Sequence, residues 1–107
     1  MNHVILGGNV CDNLKDNLRF TKTGKQVLDF SIAVRESEDH TNFIRCRAWA
    51  GTADILCKYV DKGDKITLSG RLSVSKYEKG GETKYYTNVV VSEVQFGFKP
   101  SRGGKND

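Results

Sequence analysis

The sequence predicts an all-β domain: a five-stranded Greek-key barrel with one short helix between its third and fourth strands. Three observations carry that expectation. Segments that alternate apolar and polar residues recur along the chain, separated by charged or glycine-containing breaks. Only one stretch, residues 52–61, changes to a helical period. No helix separates most neighbouring strands, which excludes a layered α/β architecture.

Residues 3–10 (HVILGGNV) read as the first strand, and residues 11–19 as a polar turn. The second strand starts near Phe20, is interrupted by Thr23-Gly24-Lys25 and resumes at Val27. There Leu28, Phe30, Ile32 and Val34 alternate with Asp29, Ser31 and Ala33, as a half-buried strand requires. Residues 35–42 (RESEDHTN) read as a charged loop, and Phe43 to Trp49 as the third strand. In the helix, Ala53, Leu56, Cys57 and Val60 fall on one face, Thr52 is placed to cap the start and Gly63 to stop the chain. The fourth strand directs Ile66, Leu68, Gly70, Leu72 and Val74 one way, and Thr67, Ser69, Arg71, Ser73, Ser75 and Tyr77 the other. Gly70 inside the apolar row marks the bend that a small closed barrel needs. Lys79-Gly80-Gly81-Glu82 is a hairpin turn, and Lys84 to Phe96 the fifth strand. This order matches the OB-fold, a barrel used on oligonucleotides and oligosaccharides. A small SH3-like barrel competes with it, and the helix after strand three argues against that alternative.

At 107 residues the chain has room for one core, expected over residues 1–96, followed by a flexible basic tail over residues 97–107. Seventeen basic against thirteen acidic residues leave a net charge of +4, a surplus that favours a polyanion partner only where the charges cluster. The three cysteines, Cys11, Cys46 and Cys57, lack metal-binding or disulfide spacing and suggest reduced thiols in a cytosol. Val4-Ile5-Leu6 is too short an apolar run for a signal peptide or membrane span, so a cytoplasmic protein is expected.

Strand three carries the sharpest functional signal. If Ile44, Cys46 and Ala48 face inward, Phe43, Arg45, Arg47 and Trp49 face outward, as aromatic, basic, basic, aromatic. Unpaired bases need flat apolar surfaces, and the phosphates between them need cations. Outward aromatics also cover barrel ends or pack in dimer interfaces, but two arginines among them would then be costly to bury. Tyr77, flanked by Lys76 and Lys79, ends the outward row of strand four; Arg71 on that row suits a phosphate or a surface carboxylate. No catalytic constellation is expected: His3 and His40 have no evident partner, and no P-loop, nucleophile-elbow or zinc-protease motif occurs. No cofactor or metal site is expected.

Across nearly all of residues 1–96 the chain resembles the bacterial and phage single-stranded DNA-binding proteins. Asn2 to Val10 resembles the family's opening N-x-V-I-L-x-G-N-L, and Phe43-Ile44-Arg45 followed by Trp49 its W-H-R-x-x-x-F with the aromatics exchanged. Tyr59-Val60-Asp61-Lys62-Gly63-Asp64 is similar to Y-L-x-K-G-x, Gly70-Arg71-Leu72 to G-x-L, and Tyr85 to Val91 to Y-T-T-E-V-V-V. The resemblance implies stacking by Phe43, Trp49 and Tyr77, and phosphate contacts by Arg45, Lys62 and Lys76. It also implies a non-enzymatic role in replication, recombination and repair, and a homo-oligomer, a tetramer rather than a dimer, with the first strand in a dimer interface. Arg47 and Arg71 join the expected site on strand parity alone.

Three departures stand out. The loop between strands two and three is short and acidic, without the tryptophan that many members place there, so one stacking platform is expected to be missing. The family's W-H-R histidine is Ile44 here. The chain ends in Lys99-Pro100-Ser101-Arg102-Gly103-Gly104-Lys105-Asn106-Asp107 rather than in the acidic tip that recruits replication or recombination proteins. That end implies a removed tip or a short tailless form of phage or plasmid type, with host cytoplasm as the compartment for a phage protein. The alternative family is a primosomal replication-restart adaptor of the PriB type.

Overall fold

The computed structural model describes residues 1–96. The tail expected from Gly97 to Asp107 lies outside them. The elements run β1 (Val4–Val10), α1 (Leu14–Asn17), β2 (Leu18–Phe20), β3 (Gln26–Ser37), β4 (His40–Trp49), α2 (Ala50–Tyr59), β5 (Lys65–Lys79) and β6 (Glu82–Phe96).

The strands follow the order β1-β5-β6-β4-β3-β2, and the far end of β1 also pairs with β3 through Asn9↔Ala33 and Val10↔Ile32. β1 is thus shared by both edges, and the sheet closes into a five-stranded barrel, the OB-fold. β4 and β6 run parallel and every other pair is antiparallel. Closure demands a close approach. A Cβ at Gly8 would stand 2.5 Å from the Ala33 carbonyl oxygen, so the glycine lets β1 cross onto β3.

The alternation expected in β3 and β4 holds. Leu28, Phe30, Ile32, Cys46 and Ala48 are buried in the core, with Ile44 packed against it. Ala53, Leu56 and Cys57 of α2, with Val60 just beyond it, pack into the same core. The helix begins at Ala50, ahead of Thr52, with Trp49 in the cap position and no side-chain cap. Ala50 takes the left-handed conformation at φ 49°, a cost of about 1–2 kcal/mol for an L-residue with a side chain. Gly63, at φ 93°, turns the chain between α2 and β5, and its N–H donates to the Val10 carbonyl.

Four expectations need correction. The polar segment before β2 contains a second, one-turn helix, α1, whose Leu14 is buried in the core. Two leucines, Leu14 and Leu18, among the polar residues of 11–19 are too few to give a period. The break at Thr23-Gly24-Lys25 is a reversal rather than an interruption, since Arg19 pairs antiparallel with Val27. The charged stretch 35–42 is mostly strand: β3 runs to Ser37 and β4 restarts at His40. Its ladder depends on backbone pairing, with Asn42 donating to Glu36 at 3.0 Å, and not on apolar residues. Finally, the apolar row of β5 leaves the core at Gly70. Leu72 and Val74 keep the inward parity but are 47% and 62% exposed, because β5 and β6 outrun the barrel as a hairpin arm. At that exit Ser69 pairs with Glu93 and Gly70 with Val91, leaving Ser92 bulged.

Candidate nucleic-acid interface

The site is built on β4. Its pleat sends Cys46 and Ala48 into the core and Phe43, Arg45, Arg47 and Trp49 to the opposite face, as expected. From Phe43 to Trp49 this row extends roughly 20 Å at a strand's rise. Across β3, the residues on the same face are Ala33, Ser31, Asp29 and Val27, each opposite one member of the row. On the other side Arg47 pairs with Val90, and Val90 with Arg71. The same parity carries Ser73, Ser75 and Tyr77 of β5 and Tyr86 and Asn88 of β6 onto this face.

Five of the expected residues therefore share one surface with Tyr77: Phe43, Arg45, Arg47, Trp49 and Arg71. Two are placed differently. Lys76 points to the other face of the arm, with Leu72, Val74 and Tyr85. Lys62 is exposed in the turn between α2 and β5, at the margin of the surface. Burial and the neighbouring Asp12 push the Cys11 thiol up, and the charge of Lys62 partly offsets them. Cys11 in turn donates its N–H to the carbonyl of Ser31, the cross-strand partner of Arg45.

The rings and cations are interlocked. Arg45 lies over the Tyr86 ring, its Cζ 5.3 Å from the centroid, and Tyr86 meets Tyr77 edge-on at 5.6 Å. Trp49 is flanked by Lys25, whose Nζ is 5.0 Å from its centroid, and by the Arg47 Cζ at 5.9 Å. Phe43 is 69% exposed at the open end of the row. Sequence reasoning missed Tyr86, Lys25 and Arg19. Tyr86 carries a signal in retrospect: in the Tyr85-Tyr86 pair, parity with Asn88 and Val90 picks out the second ring.

Arg47 is not a bare cation. Its Nε donates to Asp29 Oδ1 at 2.6 Å and an Nη to Oδ2 at 3.1 Å, while Arg19 donates to Oδ2 at 2.6 Å. Burial raises the Asp29 carboxyl and is the largest single influence. Hydrogen bonds from Arg47 and Arg19, with their charges, together outweigh it and hold the carboxyl below its ordinary value. Arg45, Arg71, Lys62 and Lys76 form no ion pair among the described residues.

Such a surface can stack bases on its exposed rings and meet the intervening phosphates with its unpaired cations. Beneath it, burial pushes the Cys46 thiol up to about 12, so that side chain is a neutral core group. Among the described residues, no three His, Cys, Asp or Glu side chains come together to hold a metal, and no helix is long and apolar enough to cross a membrane.

Comparison with known proteins gives the chain's relatives. Residues 1–97 match the single-strand binding protein family. The chain is 33% identical to a single-stranded DNA-binding protein of Oceanobacillus iheyensis, aligned over 99% of this chain and 70% of that protein. It is 37% identical to one from Fusobacterium nucleatum, over 100% of this chain and 73% of the relative. It is 36% identical to single-stranded DNA-binding protein 1 of Clostridium acetobutylicum, over 90% and 93% respectively.

Proposed function

The chain belongs to the single-strand binding protein family, and from that premise we propose that it binds single-stranded DNA on the β4 face, without strong sequence preference. Bases stack on Phe43, Trp49 and Tyr77, and Arg45 and Arg71 meet phosphates. Lys62 extends the contact at the margin, and Lys76 reaches the backbone from the other face of the arm. The role is protection of unpaired DNA in replication, recombination and repair, by binding and not by catalysis. The protein works as a homo-oligomer, a tetramer rather than a dimer, in the cytoplasm. The comparisons lend no support to the primosomal adaptor alternative.

The observation that carries this reading is the alternation of rings and cations over one face of the barrel and its arm. Base-edge readout needs donors and acceptors fixed against particular bases, whereas rings accept any base. Competition tests the reading: labelled oligo-dT is expected to be displaced by unlabelled oligo-dT and hardly at all by duplex DNA. Equal displacement by the duplex would overturn it.

A further inference from the structure

We propose that Asp29 is an internal competitor for the DNA backbone, a carboxylate that holds Arg47 and Arg19 in ion pairs at the centre of the binding face and so limits affinity and its salt dependence. The inference rests on the nucleic-acid reading above and adds to it a residue that tunes binding strength.

The geometry makes the competition specific. A guanidinium binds a carboxylate and a phosphate through the same planar set of N–H groups, so each one given to Asp29 is lost to a phosphate. Arg47 offers Asp29 two N–H groups, at 2.6 and 3.1 Å, and Arg19 a third at 2.6 Å; both carboxylate oxygens are engaged. The carboxylate stands opposite Arg47 in the β3–β4 ladder, one pair away from the Trp49 end and one from Arg45. A second carboxylate, Asp12, lines the same groove as Asp29 and Arg45, its Oδ2 accepting the Ser31 N–H at 2.7 Å.

The consequence is thermodynamic. Salt dependence arises because each cation that neutralises a phosphate releases a condensed counterion, at a log–log slope of about −0.7 per contact on a single strand. An arginine already paired with a carboxylate makes that exchange only by giving up hydrogen bonds to Asp29, which then keeps one arginine where it had two. Of the three arginines clustered at this point, Arg45 alone faces DNA without that restraint. The carboxyl is held below its ordinary value, so the pairs are intact throughout the neutral range.

The test uses the full chain and a fluorescent dT oligomer, titrated across a range of salt concentrations. Asp29→Asn is expected to bind roughly three- to tenfold more tightly at low salt, with the slope steeper by about 0.7 for each arginine released. Arg47→Gln, with Asp29 intact, is expected to flatten the slope by clearly less than Arg45→Gln does. In the Arg47→Gln background the gain from Asp29→Asn is expected to fall by half or more. Unchanged affinity and slope in Asp29→Asn would overturn the proposal, as would a gain undiminished by Arg47→Gln, which would reflect loss of a charge and not release of a partner. Flattening of the slope by Arg47→Gln as great as that by Arg45→Gln would do so too, and that comparison keeps the test decisive should Asp29→Asn fold poorly. A native chain that binds no dT would refute the DNA reading itself; a native chain that binds, with variants that behave alike, refutes only the role of Asp29.

Discussion

Trp49 ends the outward row of β4 with its ring only partly exposed, and its cross-strand partner shows why. Val27 is fully buried yet lies on the outward face, between Arg19 of β2 and Trp49 of β4, and outside the main core cluster. In the proposed interface the indole serves two ends, offering one surface to a base and helping to keep water from Val27. Trp49→Ala is expected to weaken dT binding by about 1–3 kcal/mol, the value of one stacking platform. It should also lower the melting temperature by a few degrees as Val27 loses its cover. Trp49→Phe should keep most of the affinity. Fluorescence quenching in the native protein and anisotropy in the variants measure the binding. Full binding by a folded Trp49→Ala would remove Trp49 from the interface.

The β5–β6 arm depends on the barrel for its order. Beyond Leu72, whose partner Val89 still pairs with Cys46 of β4, its two strands pair only with each other, and an isolated hairpin is marginally stable in water. Its tip is a two-residue loop, Gly80-Gly81, with φ of 62° and 82°, the twist that suits paired strands. Tyr77 and Tyr86 pack across it, and Lys84 pairs with Glu82 at 3.4 Å. Gly70 is where barrel and arm join: a Cβ there would run into the Val90 carbonyl oxygen, a group of the backbone that cannot turn aside. Gly70→Ala is therefore expected to destabilise the fold by about 1–3 kcal/mol in denaturant unfolding. It should also weaken dT binding by shifting Tyr77 and Tyr86 relative to Arg45. A Gly70→Ala protein of native stability would show that the bulge at Ser92 absorbs the clash.

For the whole molecule the proposed assembly centres on the outer side of β1. Ile5 is 67% exposed there and lines a shallow groove with His3, Thr67, Ser69, Glu93 and Gln95. Adding a negative charge in an apolar contact is costly unless the charge finds a partner. Sedimentation of the full chain is expected to show a tetramer, and Ile5→Asp a smaller species with its secondary structure intact. A native chain that sediments as a monomer would refute the proposed assembly; a tetramer indifferent to Ile5→Asp would move the interface away from β1. DNA binding by the β4 face should survive the loss of assembly with lower apparent affinity, since fewer linked sites engage one strand.

The residues of β4 declare their own directions, because a strand's alternation depends only on neighbours one or two positions away; so do the helical face of α2 and the turn at Gly80-Gly81. From these the barrel, its helix and the outward row of Phe43, Arg45, Arg47 and Trp49 were legible in the sequence. What each side chain meets was not. Asp29 reaches Arg47 and Arg19, Arg45 settles over Tyr86, and Lys25 over Trp49 only once register has joined β2, β3, β4 and β6. Nor does alternation tell where a barrel ends: Leu72 and Val74 continue the apolar row of β5 without a core to enter. Local sterics set the direction of a side chain. Its charge partner and its burial depend on strands distant in sequence, and the tertiary structure alone decided those.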